Sequence, residues 1–307
     1  MIEVKYHKGN SKVHEVSRED FVKTTSELKP YMVMDKNGKN AYAICPLCEN
    51  PVKLIGIYVD MEKRKQREHA RHCKYNVPNI ADFAIEKYER CPYHRKNPDY
   101  IMEPRRPEDM TQLNKDILQS AHDHFGECLY IIKRITGLYI SNNLAEKIAT
   151  DYMAHPGYMT YDVTRENIPY IMGCCLTGIY IRGRVIMENS PLYNMLKNVD
   201  GIHLERVKPR KNSSSKIVKY RIDEIPYKGL IFHLMNYRFE ANTTEKLKEY
   251  ITINIGIPDG EGTFDTFMSQ EIELDPYFFN KLINKGNWKA DNEIQKIADR
   301  ILVLSKH

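Results

Sequence analysis

The stretch that most constrains this chain runs from Tyr42 to His94, where metal-ligand residue types cluster. Cys45 and Cys48 stand in a Cys-Pro-Leu-Cys turn. His69, His72 and Cys73 follow a charged run, and Cys91-Pro-Tyr-His94 makes a second turn. Two thiolates on a tight turn, with backbone N–H groups nearby to bond the sulfurs, have the form of a zinc knuckle. The N-terminus, MIEVKYHKGNSKVHEV, carries no apolar segment of a secretory signal. The expected setting is therefore the cytoplasm, where clustered cysteines hold metal rather than form disulfides.

Several four-ligand sets fit that spacing. Cys45, Cys48, Cys73 and Cys91 give an all-thiolate structural zinc site and are the preferred set, with His69, His72 and His94 as alternates. Cys91 followed by Pro repeats the look of the first turn, which favours its inclusion. A second arrangement takes Cys45, Cys48, His69 and Cys73. It needs a helix from Met61 through His72, on which residues four apart share a face.

The elements around this stretch read as mixed α+β. Ile2–Tyr6 is a possible strand, and Ser17-Arg-Glu-Asp caps a helix running to about Leu28. Tyr31–Met34 and Ala41–Ile44 flank an Asn-Gly turn as a hairpin. Val52–Val59 is a strand, and Ile80–Tyr88 a short helix. The run from Arg95 to Asp109 is rich in proline and charge, like a linker or strap. The expected division is thus a zinc-stabilised domain over 1–98, a strap over 99–112 and an interaction domain over 113–307.

Past the strap, apolar residues from Leu113 to Ile135 keep the helical period, and Gly137 closes that helix. Ser141 caps a second helix, and a third covers Ile168–Leu176. From Gly178 the period becomes that of strands, at 179–186, 202–207, 216–222, 229–239, 249–255 and 270–274. Asp291–Leu304 is a closing helix. The expected plan is a central helical bundle followed by a mostly antiparallel sheet.

No stretch approaches the roughly 20 apolar residues of a membrane helix, so no membrane partner is expected. P-loop, dinucleotide, nucleophile-elbow and His-Glu-x-x-His signatures are absent from the sequence. His122, Asp123 and His124 are adjacent and would point apart on a helix. A catalytic zinc keeps an open position, whereas so many ligands favour a closed one. An enzyme, such as a metal-dependent hydrolase or nuclease, is therefore the weaker expectation.

Two binding functions remain. Nucleic acid would use Lys63, Arg64, Lys65, Arg67 and Arg71, with Lys208, Arg210 and Lys211. Glu62 and Glu68 interrupt the first cluster, and the net charge of +5 is modest. Protein–protein contact is the other, and 21 Tyr against 9 Phe suits it, since tyrosine is favoured at interfaces; homo-oligomers are equally consistent.

The segments YAICPLCENPVKLIGIY, RHCKYNVPNIADF and YERCPYHRKNP resemble uncharacterised proteins carried by phages and mobile elements. The overall plan is also similar to that of Gabija anti-defence proteins, oligomeric inhibitors that wrap a host defence complex. That resemblance implies a host protein complex as partner. It assigns no site residue.

Overall fold

A computed structural model of the chain describes residues 1–9, 12–36, 38–60, 62, 67–94, 106, 108, 110–160, 163–208, 217–240, 246–258, 264–286 and 291–304. Helices and antiparallel sheets are mixed along it.

The N-terminal part is built on a four-stranded antiparallel sheet, in the order β3 (Met32–Asp35), β4 (Gly38–Ile44), β5 (Pro51–Ile55), β6 (His69–His72). Two earlier short strands, β1 (Glu3–Val4) and β2 (His14–Glu15), pair beside it. Backbone bonds from Lys5 to Ile44 (2.8 Å each way) and from Ala70 to Met1 (2.7 Å) tie the first residues to the end of β4 and to β6. Helix α1 (Arg18–Thr25) starts where its sequence says it should, because the Ser17 hydroxyl accepts from Asp20 N at 3.1 Å. The β3–β4 hairpin is also present, with Asp35 opposite Gly38.

The helix expected over Met61–His72 is not formed at its C-terminal end. His69–His72 is the strand β6, antiparallel to β5, with Val52 opposite His72 and Ile55 opposite His69. Good helix formers and alternating charges make that run look helical in isolation. Pairing to a strand distant in sequence overrides such weak local propensity.

Helix α2 (Ile85–Glu89) precedes the second cysteine turn. The proline-rich strap falls almost wholly outside the described residues. Helix α3 (Gln112–Asp123) then begins with a capping box made by Thr111 and Asn114. The single helix expected from Asn114 to Thr136 is in fact two. His124, at φ −119° and ψ 28°, separates α3 from α4 (Phe125–Thr136). Gly137 caps α4 in the left-handed region at φ 84°, and a side chain there would collide with Ser190.

Helices α5 (Asn142–Ala154) and α6 (Ile168–Cys175) follow. The stretch expected as one strand over 179–186 is divided into β7 (Ile179–Tyr180) and β8 (Val185–Met187). Pro191 leads the short helix α7 (Pro191–Leu196). Strands β9 (Ile202–Arg206) and β10 (Lys219–Glu224) join β8 in a three-stranded sheet. Strands β11 (Ile231–Glu240), β12 (Lys248–Pro258) and β13 (Phe264–Leu274) join β7 in a second four-stranded one. Helices α8 (Phe278–Asn284) and α9 (Asn292–Leu304) end the chain, and α9 packs on α3, α4 and α5.

One apolar cluster runs through both halves, taking in Val4, Phe21 and Val52 with Ile117, Ile131, Phe232, Ile253 and Ile301. Buried polar groups also bridge them. The Tyr93 and Tyr277 hydroxyls both donate to Glu3 Oε2, at 3.1 and 2.9 Å. Arg90 reaches Asn114 at 3.3 Å, and Asn114 in turn donates to Tyr158 O at 2.6 Å. Much of the tyrosine goes inward: Tyr152, Tyr170 and Tyr237 are fully buried.

Candidate metal centre

The hairpin turn between β4 and β5 is Cys45-Pro-Leu-Cys-Glu-Asn50. Cys45 N donates to Asn50 O at 2.9 Å, and Glu49 N donates back to Cys45 O at 3.1 Å. Glu49 takes a left-handed φ of 57°, the sharp bend that turns the chain after Cys48 back into β5. On the far side of β5, strand β6 delivers His72. After α2, Cys91 N bonds Tyr88 O and His94 N bonds Cys91 O, closing the second turn.

These elements converge on one point. Ligand atoms of Cys45, Cys48, His72 and Cys91 all lie within 4.8 Å of one another. The Cys45 and Cys91 sulfurs are 3.7 Å apart, too far for a disulfide. His72 Nε2 lies 3.3 Å from the Cys48 sulfur and 3.7 Å from that of Cys91. A tetrahedral zinc with its usual bond lengths has S···S edges of about 3.8 Å and S···N edges of about 3.6 Å. The donor set and its spacings therefore fit a tetrahedral Cys3His metal site.

The surroundings are dry, so the sulfurs need a bound cation to stand together as thiolates. Cys45, Cys48 and Cys91 are all buried. Burial pushes the Cys45 and Cys91 thiols well up from their ordinary range. At Cys48 burial is outweighed by hydrogen bonds from Cys45, Cys91 and His72, which bring its thiol well down. Asn50, itself buried, donates its amide to the Cys48 sulfur at 3.3 Å. Its other amide atom accepts from Ala84 N at 2.6 Å, so the same side chain orients a ligand and anchors the start of α2.

Of the preferred residues, Cys45, Cys48 and Cys91 meet, and the fourth position is taken by the alternate His72. Cys73 lies elsewhere, in a small apolar cluster with Ile44, Val77, Ile80 and Ala81. The reason is strand geometry: neighbouring side chains on an extended segment point to opposite faces, so His72 and Cys73 cannot both turn inward. The other alternates are also placed apart from the group. His69 Nδ1 lies 3.0 Å from Arg67 O. His94 stacks on the Tyr88 ring at 3.7 Å, while His72 meets that ring edge-on. Asn50 carries the one sequence signal that spacing alone had not marked: an amide two residues beyond Cys48.

Of the nucleic-acid contacts, the described ones do not share a helix: Arg71 is on a strand. Lys63, Arg64, Lys65, Arg210 and Lys211 lie outside the described residues. Arg67 pairs with Glu15, Arg71 sits on β6, and Lys208 follows β9 at the surface. His122 joins Asp123 and, at 3.0 Å, Asp299 of α9, whereas His124 turns to Glu127, so the three adjacent residues do not converge.

Comparisons with protein-family models, curated proteins and solved structures give no match. Among the described residues no helix is long and apolar enough to cross a membrane.

Proposed function

We propose that Cys45, Cys48, His72 and Cys91 hold a structural zinc, and that the protein is a non-enzymatic binding protein whose target is a host protein complex. The observation that carries this reading is the donor set itself. Four protein ligands, three of them thiolates, complete a tetrahedron and leave no position for water or substrate. Zinc suits that mixture of soft sulfur and imidazole better than magnesium or calcium, which take oxygen ligands.

The binding half of the proposal draws on surface chemistry. Tyr180, Tyr227 and Phe267 are about half exposed, around the end of the sheet formed by β7 and β11–β13. The Arg182 guanidinium lies 5.3 Å from the Tyr227 ring centre and Lys228 Nζ 5.8 Å from that of Phe267. Exposed aromatics with arginine are the composition of protein interfaces. The likeness of the Tyr42–Pro98 run to phage and mobile-element proteins, and of the plan to Gabija anti-defence inhibitors, suggests a defence assembly as the target and homo-oligomers as the working form.

Affinity capture from a host lysate, run in parallel with and without nuclease treatment, tests this directly. A stoichiometric protein complex should be retained, and lost when Tyr227→Ala and Phe267→Ala are combined. Nucleic acid that leaves with added salt, in place of a protein complex, would contradict it.

A further inference from the structure

We propose that the cleft between α4 and α8 binds a free nucleotide, its phosphate held by Arg134, Lys281 and Lys285. The cavity measures about 360 Å3, at the small end of ligand-site volumes. Helix α4 lines it with Tyr130 and Arg134, which are four residues apart and so share a helix face. Helix α8 adds Phe278, Lys281 and Leu282, and Lys285 completes the wall just after that helix.

Charge and exposure decide the class of ligand. The wall carries three cations and no carboxylate. Lys281 Nζ lies 3.0 Å from Asp275, which is not part of the wall. Arg134 and Lys285 are exposed, and neither pairs with a carboxylate among the described residues. The last turns of α4 and α8 favour cations, but each helix end offers only about half a negative charge. Two such ends and the Asp275 carboxylate offset about two of the three positive charges, which leaves the wall cationic.

Arg134 is also held in place, its guanidinium carbon 4.4 Å from the centre of the Phe278 ring. Stacking on an aromatic face fixes the guanidinium plane and leaves its N–H edge for phosphate oxygens. A freely rotating arginine reaches that fork-shaped match only with loss of entropy. Tyr130, 37% exposed, sets a second ring on the same wall, on which a base can stack. A site for a strand tracks the backbone with cations over about 4–16 nucleotides, whereas this cleft is a single pocket.

The site rests on neither the metal nor the protein-binding reading. Titration calorimetry on the full-length, metal-loaded chain tests it with adenosine monophosphate, against adenosine, inorganic phosphate and a single-stranded oligoadenylate. We expect saturable one-site binding of the monophosphate, weakened roughly tenfold or more by Arg134→Ala and by loss of either the phosphate or the base. Lys285→Glu, which plants a carboxylate on the wall, should abolish it. Tyr130→Ala should weaken the monophosphate while leaving the weaker binding of inorganic phosphate unchanged. All three positions are exposed, and circular dichroism with metal content confirms that the variants are folded. No saturable binding of the monophosphate, or equal binding by Arg134→Ala and Lys285→Glu, overturns the site. Adenosine or inorganic phosphate binding as tightly as the monophosphate overturns the nucleotide as its ligand. Tighter binding of the oligoadenylate overturns the free nucleotide in favour of a strand.

Discussion

Cys48→Ser, Cys91→Ser or His72→Ala should each abolish metal binding and unfold the N-terminal sheet, while Cys73→Ser should leave the metal in place. The hairpin turn, β6 and the turn after α2 come from separate parts of the sequence and meet at these ligands. A structural zinc contributes on the order of 10 kcal/mol or more, comparable with the whole stability of an ordinary domain. Unfolding should spread beyond the sheet, because Tyr93 in the second cysteine turn shares Glu3 with Tyr277 at the start of α8. Near-ultraviolet circular dichroism, which reports packed tyrosines, should collapse on treatment with a strong chelator. For Cys73→Ser the expected loss is about 1–3 kcal/mol, from a hydroxyl placed in an apolar cluster. Retained metal in His72→Ala, together with lost metal in Cys73→Ser, would restore the all-cysteine set.

The second large effect is on pH dependence. Glu249, at the start of β12, is 2% exposed, and burial raises its carboxyl to about 8. The Tyr237 hydroxyl is hydrogen-bonded to it and only partly offsets that burial. Its folded-state value lies above the unfolded one, so between about pH 4.5 and 8 the folded state holds more protons than the unfolded chain. Stability from this group is therefore greatest at acidic pH and is lost as pH rises through that window. Glu166 acts in the same direction, up to about 7. With zinc held saturating, the melting temperature should fall by several degrees between about pH 6 and 8.5. Glu249→Gln keeps the shape and removes the titration, so it should flatten the slope and raise the melting temperature at the alkaline end. A wild-type curve that rises across the window by the same amount as the variant's would contradict this account of Glu249.

Local signals carried the sequence reading a long way, and their limits have physical causes. The cysteine turn, the Ser17 cap and the Gly137 cap are each decided by a few adjacent residues, and each is found where the residues place it. His72 in place of Cys73 depended on whether His69–His72 is helix or strand. Only β5, more than a dozen residues upstream, settles that. The division of α3 from α4 was hidden because the apolar period continues across His124 while the backbone does not. Glu166 and Glu249 looked like ordinary charged residues, since their burial comes from packing between distant segments. Helix α8 gave no capping signal; Tyr277 makes no side-chain cap bond there.

X-ray absorption at the zinc edge, on protein purified without added metal, reads the ligand set itself. About one zinc per chain is expected, with three sulfur neighbours near 2.3 Å and one nitrogen near 2.0 Å. Four sulfurs, or oxygen neighbours at an open position, would contradict the Cys45, Cys48, His72 and Cys91 site, as would zinc below about half an equivalent.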